Sequence, residues 1–227
     1  MNYKIFIVIL LLFAGGFLAW FEINKGGEDE RVGISGREEM AMFDSGKDAR
    51  SGKAGEEDGG ETAVPLSRLN ERLTKKRFSQ FITRENSPVQ PERFPGYHTG
   101  IDLEVFEDEF EKEVEIRVIC SGRLVLSSFI SGYGGVAVES CERDGQEMTV
   151  VYGHLDRSKM KYEAGEEVKK GAVLGVLGDD KSSETDYERK HLHLGIYKGS
   201  EINLKGYVNS KQELNSWIDP CLVLGCE

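Results

Sequence analysis

Short extended runs at regular spacing, separated by turn signals, dominate the middle of this sequence. The first of them alternates apolar and charged side chains, as a strand with one buried face does. Asp144-Gly145 is typical of a tight hairpin turn, and 27 glycines against 5 prolines suit short strands joined by tight turns. We therefore predict an all-β, antiparallel domain. The runs cover residues 114–118, 123–130, 136–141 and 148–152.

An uninterrupted apolar run covers residues 5–21, directly after Lys4. This length is at the short end for a membrane-spanning helix, and the positive residue before the run orients the following domain away from the cytoplasm. Trp20 and Phe21 fill the place where a small-residue cleavage site belongs. We predict an uncleaved signal anchor at residues 1–24. The expected location is the cell membrane, single-pass, with the domain extracytoplasmic; cleavage would release a secreted protein.

Residues 25–64 are acidic and rich in glycine, with few large apolar side chains. Such a segment cannot bury enough apolar surface to offset the entropy lost on ordering, so it predicts a flexible linker. The folded domain is expected to cover residues 65–227. It should begin with a short helix within residues 66–75 and a strand at residues 77–83.

A capping-box pattern predicts a short helix near the carboxyl terminus. Ser210 and Glu213 have the spacing at which each side chain bonds the other's backbone N–H, and the helix is expected to run to Trp217. Asp219-Pro220 follows, and the residue before a proline is biased away from the helical region. The helix is therefore expected to end there.

Charge and cysteine spacing exclude two classes of function. The net charge of −11 argues against nucleic acid as a partner, because binding it requires a basic face. The four cysteines form no C-x-x-C pair, which argues against a thiolate zinc site or a thioredoxin-like motif.

Two histidines, His191 and His193, lie two positions apart in a run of alternating large residues. In a strand, residues i and i+2 point to the same face, so both imidazoles would leave the sheet together. One could hold a metal ion while the other faces whatever the metal binds. Taken alone, the pair fits a surface strand with exposed histidines equally well. The polar residues 179–190 lead into this strand and predict a loop over one rim of the site.

The other two histidines also lie in patterned segments. His98 and Asp102 are four residues apart around Gly100, which argues against a helix, and an even spacing in an extended segment keeps both side chains on one side. Imidazole and carboxylate are both zinc ligands, although this motif alone also fits a turn histidine beside a solvated aspartate. His154 ends an apolar strand directly after Gly153, which by itself suits a structural histidine.

The order H-x-x-x-D, then Tyr-Gly-His-Leu, then His-Leu-His resembles the lysostaphin-type zinc metallopeptidases, the LytM-like peptidoglycan endopeptidases. The resemblance runs from about Lys75 to Tyr197 and includes a Gly-Tyr-Gly-Gly turn. Every histidine of the chain falls on a motif position, in the correct order. The small, glycine-rich approach to the last motif that is usual in the family is replaced here by residues 184–190, which leaves the substrate specificity open.

The segment from Gly165 to Gly175 carries a second resemblance, because its glycines and aliphatic residues recur as in the half-barrel turns of lipoyl and biotinyl carrier domains. Those domains belong to the barrel-sandwich hybrid class, so the resemblance implies a barrel-sandwich hybrid architecture built from a duplicated hybrid motif. A carrier function is not expected, since no lysine lies at a hairpin tip between apolar neighbours.

The family resemblance implies one zinc ion held by His98, Asp102 and His193, with His154 and His191 as the catalytic pair. Three protein ligands leave a position for water, which zinc can activate for attack on a carbonyl group. The implied function is a zinc-dependent endopeptidase that hydrolyses peptide bonds in the cross-links or stem peptides of peptidoglycan. Peptidoglycan is then the partner, together with the membrane through the N-terminal helix. Which histidine acts as base, and the oligomeric state, stay open.

The alternative is a non-catalytic relative of the same fold that binds wall material or activates another hydrolase. Such relatives have generally lost metal ligands, whereas all three ligand positions and both catalytic positions are filled in this chain.

The cysteines fit an exported domain. Cys120 and Cys141 each end a predicted strand, and an antiparallel sheet can bring such ends side by side. Cys221 and Cys226 flank a short apolar segment and could close a small loop. Because an oxidising compartment permits both bonds, we predict disulfides Cys120–Cys141 and Cys221–Cys226.

Overall fold

The computed structural model describes residues 63–227. The signal anchor predicted at residues 1–24 lies outside the described residues, as does the predicted linker up to residue 62. Within residues 63–227, no helix has the length and apolar character needed to cross a membrane.

Antiparallel strands with a few short helices make up the described domain, which confirms the prediction of an antiparallel β fold. The helices are α1 (Leu69–Arg72), α2 (Lys211–Leu214) and α3 (Pro220–Leu224), and 3₁₀ turns lie at Glu107–Glu109 and Arg157–Lys159. In chain order the strands are β1 (Phe81–Ile82), β2 (Gly96–His98), β3 (Gly100–Glu104), β4 (Glu115–Arg117), β5 (Gly122–Ile130), β6 (Gly134–Arg143), β7 (Gln146–Leu155), β8 (Glu167–Val168), β9 (Val173–Val176), β10 (His191–Lys198), β11 (Tyr207–Val208) and β12 (Trp217–Ile218).

The largest sheet has seven strands and is built around β10. Along it the order is β12, β10, β7, β6, β5 and β8, and β3 also pairs with β10. On its two sides, β10 places His193 opposite both Asp102 of β3 and Gly153 of β7. The middle of β10 is therefore the point where the three motif segments of the sequence meet.

The strands alternate between a core face and a second face. On β10, Leu192, Leu194 and Ile196 are fully buried in the main hydrophobic core, where Ile101 and Leu103 of β3 join them. The histidines of β10 occupy the intervening positions and leave the sheet on the other side. Period-two patterning thus separates an apolar core from the face that carries the polar motif residues.

The predicted hairpin at Asp144-Gly145 is present between β6 and β7. Both residues have positive φ, 52° and 75°, as a two-residue turn that matches the strand twist requires. At the other end of the same strand pair, Gly135 pairs with Leu155 and Val136 with Gly153, which leaves the intervening His154 as an extra residue. This β-bulge holds His154 at φ 65° and redirects its side chain.

Both predicted disulfides are present. Cys120 and Cys141 lie 6.3 Å apart between their Cα atoms, and Cys221 and Cys226 lie 4.6 Å apart. All four cysteines of the chain are therefore bonded.

The bounds of three predicted elements need correction. The helix expected within residues 66–75 covers α1 alone, and the strand expected at 77–83 is reduced to β1, because turns occupy the flanking residues. Ser210 does cap α2, accepting a hydrogen bond from Glu213 N, but this helix ends at Leu214.

The prediction that Asp219-Pro220 ends a helix is wrong, because this pair begins α3. The Asp219 carboxylate accepts a hydrogen bond from Cys221 N as an N-cap, and Pro220 occupies the first turn. A proline fits there because it lacks the N–H that would have no partner within the helix.

Candidate metal centre

All four histidines and Asp102 lie together, and all of them except His98 line one cavity. His98 comes from the end of β2, Asp102 from β3, His154 from the bulge in β7, and His191 and His193 from β10. Each of the five is at most 5% exposed. The structure thus brings together every residue that the sequence analysis singled out as a ligand or a catalytic group.

Three side-chain atoms converge on one point. His98 Nε2 lies 3.1 Å from His193 Nδ1, and Asp102 Oδ1 lies 3.2 Å from each of these nitrogens. Ligands bound to zinc in tetrahedral geometry lie roughly 3.3 Å from one another. The triangle formed by these three atoms therefore has the dimensions of three ligands around one metal ion, and the group could hold one.

A hydrogen bond on the far side of the His98 ring supports this arrangement. His98 Nδ1 lies 3.2 Å from the carbonyl oxygen of Arg77, so it carries the proton and leaves the Nε2 lone pair facing the triangle. Facing lone pairs and a carboxylate repel unless a proton or a cation lies among them. The donor set is therefore one that could hold a cation.

Burial and charge set the protonation of this group. Burial raises the pKa of Asp102, but the charges of His98, His191 and Arg189 outweigh it and hold the pKa well below the usual value. Burial lowers the pKa of His193 to about 4. An ionised carboxylate beside a neutral imidazole is the form in which these groups bind metals.

His154 and His191 face each other next to the triangle, with ring centroids 4.2 Å apart. His191 Nδ1 lies 2.8 Å from the carbonyl oxygen of Arg189, and His154 Nδ1 lies 3.3 Å from that of Thr185. Burial lowers the pKa of His154 well below its usual value, which keeps this ring neutral. Both rings therefore have Nδ1 bonded to the main chain, and Nε2 of His191 lies 3.4 Å from Asp102 Oδ2.

The cavity beside the triangle has a volume of about 320 Å³. Phe94 and Tyr207 form part of its wall, with ring centroids 6.4 Å apart. Tyr133 also lines it, and its hydroxyl group is buried without a hydrogen-bond partner in the protein. The cavity wall therefore combines aromatic surface with a residue whose hydroxyl group has no protein partner.

Residues 96–205 match peptidase family M23. These residues form a peptidase family M23 domain. The match confirms the family resemblance drawn from the histidine motifs, and it covers all five residues of the cluster.

Endolysin 2638A of Staphylococcus phage 2638A is 28% identical to the chain over 112 residues, which is 49% of this chain and 21% of the endolysin. The chain thus spans about a fifth of the length of this curated relative.

Among solved structures, the M23 domain is similar to the catalytic domain of lysostaphin from Staphylococcus simulans, at 19% identity and a TM-score of 0.47, covering 71% of this chain and 98% of that one. It is also similar to LytU, at 23% identity and a TM-score of 0.44, covering 66% of this chain and 81% of that one. A further similar structure is the complex of SpoIIIAH and SpoIIQ, at 22% identity and a TM-score of 0.47, covering 71% of this chain and 99% of that one.

Sequence analysis missed several side chains of the M23 site. Arg189 binds Asp102, and Lys76 forms a buried ion pair of 2.6 Å with Glu92 on the cavity wall. These contacts join residues that are distant in the sequence, so no local pattern predicts them. For Tyr133 a signal existed, because it belongs to the Gly-Tyr-Gly-Gly turn of the family motif.

The loop predicted over one rim of the site is present. Residues 179–190 form turns without a strand, and Glu188 and Arg189 of this loop line the cavity. Thr185 is fully buried, and its hydroxyl bonds the loop carbonyls of Asp179 and Glu188. The loop is thereby fixed at the point where it contacts His154.

Proposed function

We propose that this chain is a zinc-dependent endopeptidase that hydrolyses peptide bonds in the cross-links or stem peptides of peptidoglycan. The observation that carries the proposal is the triangle of His98 Nε2, Asp102 Oδ1 and His193 Nδ1, whose sides measure 3.1–3.2 Å. Membership of a peptidase family supports the reaction type. The barrel-sandwich hybrid architecture implied by the sequence belongs to the same proposal.

His98, Asp102 and His193 are the proposed zinc ligands. The donor set of two imidazoles and one carboxylate suits zinc, and three protein ligands are the number that catalytic zinc sites use. When bound, zinc polarises a carbonyl group and makes water a stronger acid. The remaining chemistry belongs to the side chains around it.

His154 and His191 are the proposed catalytic pair. With Nδ1 bonded to a main-chain carbonyl, each ring in its neutral form presents an Nε2 lone pair that can accept a proton. The pair takes a proton from the attacking water as the new carbon–oxygen bond forms. It then delivers that proton to the amide nitrogen as the carbon–nitrogen bond breaks, so the leaving group departs as an amine.

The Tyr133 hydroxyl is the proposed donor to the oxygen that gains charge during this attack. Burial raises the pKa of Tyr133 far above its usual value, so the hydroxyl keeps its proton. A buried donor without a protein partner, on the wall of the cavity, can stabilise a developing oxyanion at little reorganisation cost.

The proposed location is the extracytoplasmic face of the cell membrane, with residues 1–24 as anchor and the acidic segment as tether. Peptidoglycan lies on that side of the membrane. The two disulfides of the described domain support this location, because such bonds persist in oxidising compartments.

Digestion of defined muropeptides, followed by mass spectrometry of the products, tests the function. We expect one class of peptide bond to be cut, and we expect Asp102→Ala and His193→Ala to abolish the cleavage. Asp108→Ala, which removes an exposed aspartate outside the cavity, is the matched control and should retain full activity. Absence of any cleavage by the parent chain, with zinc bound, would favour the non-catalytic alternative that binds wall material or activates another hydrolase.

A further inference from the structure

The guanidinium group of Arg189 lies buried beside the metal-binding cluster. Its Nη2 lies 2.7 Å from Asp102 Oδ2 and 2.6 Å from Glu104 Oε1, and its Nε lies 2.9 Å from Glu104 Oε2. The side chain is 11% exposed. One arginine therefore joins two carboxylates, one of which belongs to the cluster.

The pairing of β3 with β10 explains why a cation is needed here. Asp102 lies opposite His193 and Glu104 lies opposite His191, so both carboxylates point to the face that carries the histidines. Two buried carboxylates on neighbouring positions of one face repel each other unless a positive charge lies between them. Arg189 supplies that charge and satisfies three carboxylate oxygens at once.

The contact decides which oxygen of Asp102 is available. Oδ2 accepts the shorter hydrogen bond, from Arg189 at 2.7 Å, and His191 Nε2 lies 3.4 Å from the same oxygen. Oδ1 lies 3.2 Å from both His98 Nε2 and His193 Nδ1. A carboxylate held in this way offers a metal one oxygen rather than two. The guanidinium group contacts Oδ2 alone, so it leaves the triangle itself free for a metal ion.

The main chain of Arg189 acts on a second residue of the site. Its carbonyl oxygen lies 2.8 Å from His191 Nδ1 and so accepts the proton of that nitrogen. The side chain orients a proposed ligand while the backbone orients a proposed proton acceptor. Residues that bond to metal ligands in this way commonly set the orientation of the ligand and the affinity of the site.

We propose that Arg189 is a positioning residue that presents Asp102 to the metal through Oδ1 alone and so limits the protein to three single-atom ligands. The coordination position that a second aspartate oxygen would take is thereby kept for substrate or water. This inference rests on the proposed zinc site and adds to it a residue for which the family motifs hold no position.

Metal affinity and the visible absorption of the cobalt(II)-substituted protein test this role without measuring turnover. Arg189→Met is expected to bind zinc about 10- to 100-fold more weakly than the parent. Its cobalt(II) bands should lose intensity, because a carboxylate that binds through both oxygens raises the coordination number. Arg189→Lys keeps the positive charge but lacks the planar set of N–H groups that contacts both carboxylates. Its zinc affinity should therefore lie between those of Arg189→Met and the parent.

Two further variants separate positioning from folding. The double variant Arg189→Met with Glu104→Gln leaves no unpaired Glu104 charge, so it should fold like the parent and still show the changed cobalt(II) spectrum. Arg117→Met removes an exposed arginine paired with Glu115 away from the cavity and should match the parent in both measurements.

The outcomes distinguish this inference from the proposed function. A parent chain that binds no zinc would overturn both. A parent that binds one equivalent, with an unchanged zinc affinity and cobalt(II) spectrum in Arg189→Met, would overturn the role of Arg189 alone. Tighter zinc binding by Arg189→Met would also overturn it, because the arginine would then compete with the metal.

Discussion

Within residues 63–227, two buried clusters contain the residue types that bind metals, and the lone pairs are unoccupied in only one of them. In both clusters the candidate ligand atoms lie within 4.8 Å of one another. Both lie on or beside strands of the largest sheet. The histidine cluster comprises His98, Asp102 and His193, and the cysteine cluster comprises Cys120, Glu139 and Cys141.

The difference lies in what already occupies the lone pairs. In the cysteine cluster the two sulfur atoms are bonded to each other, and Glu139 accepts a hydrogen bond of 2.6 Å from the Tyr152 hydroxyl. In the histidine cluster three lone-pair-bearing atoms face one another, and no covalent bond joins them. Residue type alone therefore does not define a metal site. The ligand atoms must also converge and have lone pairs that no other bond occupies.

The buried carboxyl groups of the two clusters, Glu139 and Asp102, also differ in their protonation. Burial raises the pKa of Glu139 to about 8, since its partner is a hydroxyl rather than a cation. Asp102 is buried as deeply, yet Arg189 and the histidines keep it ionised. The charge of the neighbouring groups, rather than burial alone, decides which carboxylate can serve as a ligand.

The largest expected effect comes from removing a ligand from the histidine cluster. His98→Ala should abolish peptide cleavage and zinc binding, because two ligand atoms do not hold zinc in this geometry. Chelation of zinc should lower the unfolding temperature of the parent chain and leave that of His98→Ala unchanged. Metal analysis and thermal unfolding check this, and a zinc content equal to that of the parent would contradict the ligand assignment.

Removing a catalytic histidine should separate turnover from metal binding. We expect His154→Ala to lower the cleavage rate by about 10²- to 10⁴-fold, the usual contribution of a general acid–base group, while zinc stays bound. Steady-state kinetics and metal analysis of the same preparation check this. Loss of zinc together with activity would assign His154 to the ligand set instead.

Breaking the cysteine cluster should affect stability and leave the metal untouched. Cys120→Ser with Cys141→Ser is expected to lower the free energy of unfolding by about 2–4 kcal/mol. The corresponding change at Cys221 and Cys226 should cost less, because these cysteines are 5 residues apart rather than 21. Denaturant unfolding measures both losses, and a fall in zinc content of the first variant would contradict the independence of the two clusters.

A last expected effect concerns the pH dependence of stability. Glu139 has a pKa of about 8 in the folded chain against 4.5 as its ordinary value, so between these pH values the native state holds a proton that the unfolded state releases. Stability should therefore fall as pH rises through this window, by about 1.4 kcal/mol per pH unit from this group.

Glu139→Gln should remove that part of the slope. Denaturant unfolding of the parent and the variant at a series of pH values between 5 and 8 gives the comparison. Parallel curves for the two proteins would show that Glu139 is ionised in the fold.

The features that could be predicted from the sequence are those set by the alternation of apolar and polar residues along strands and by the order of the motifs. The antiparallel fold, the Asp144-Gly145 hairpin and the five clustered residues followed from local spacing and from the family resemblance. The bulge that redirects His154 could not be predicted in this way, because it depends on the register between β6 and β7. The contact of Arg189 with Asp102 likewise depends on how β3 pairs with β10, which residues more than eighty positions apart do not encode locally.

The short helices and strands near the two ends of the described domain were predicted less well than the hairpin and the long strands. Short helices and two-residue strands are fixed by tertiary contacts rather than by a repeated pattern, so their bounds are not visible in the sequence. Asp219-Pro220 is the clearest instance, since the same pair can end one helix or cap the next, and the chain around it decides which.

Calorimetric titration of the purified metal-free chain with zinc tests the central claim most directly. The parent chain and Glu139→Gln should each bind one equivalent, because the cysteine cluster takes no part, and Asp102→Ala should bind none at the same concentrations. Stoichiometric binding that survives in Asp102→Ala, or that disappears in Glu139→Gln, would contradict the account.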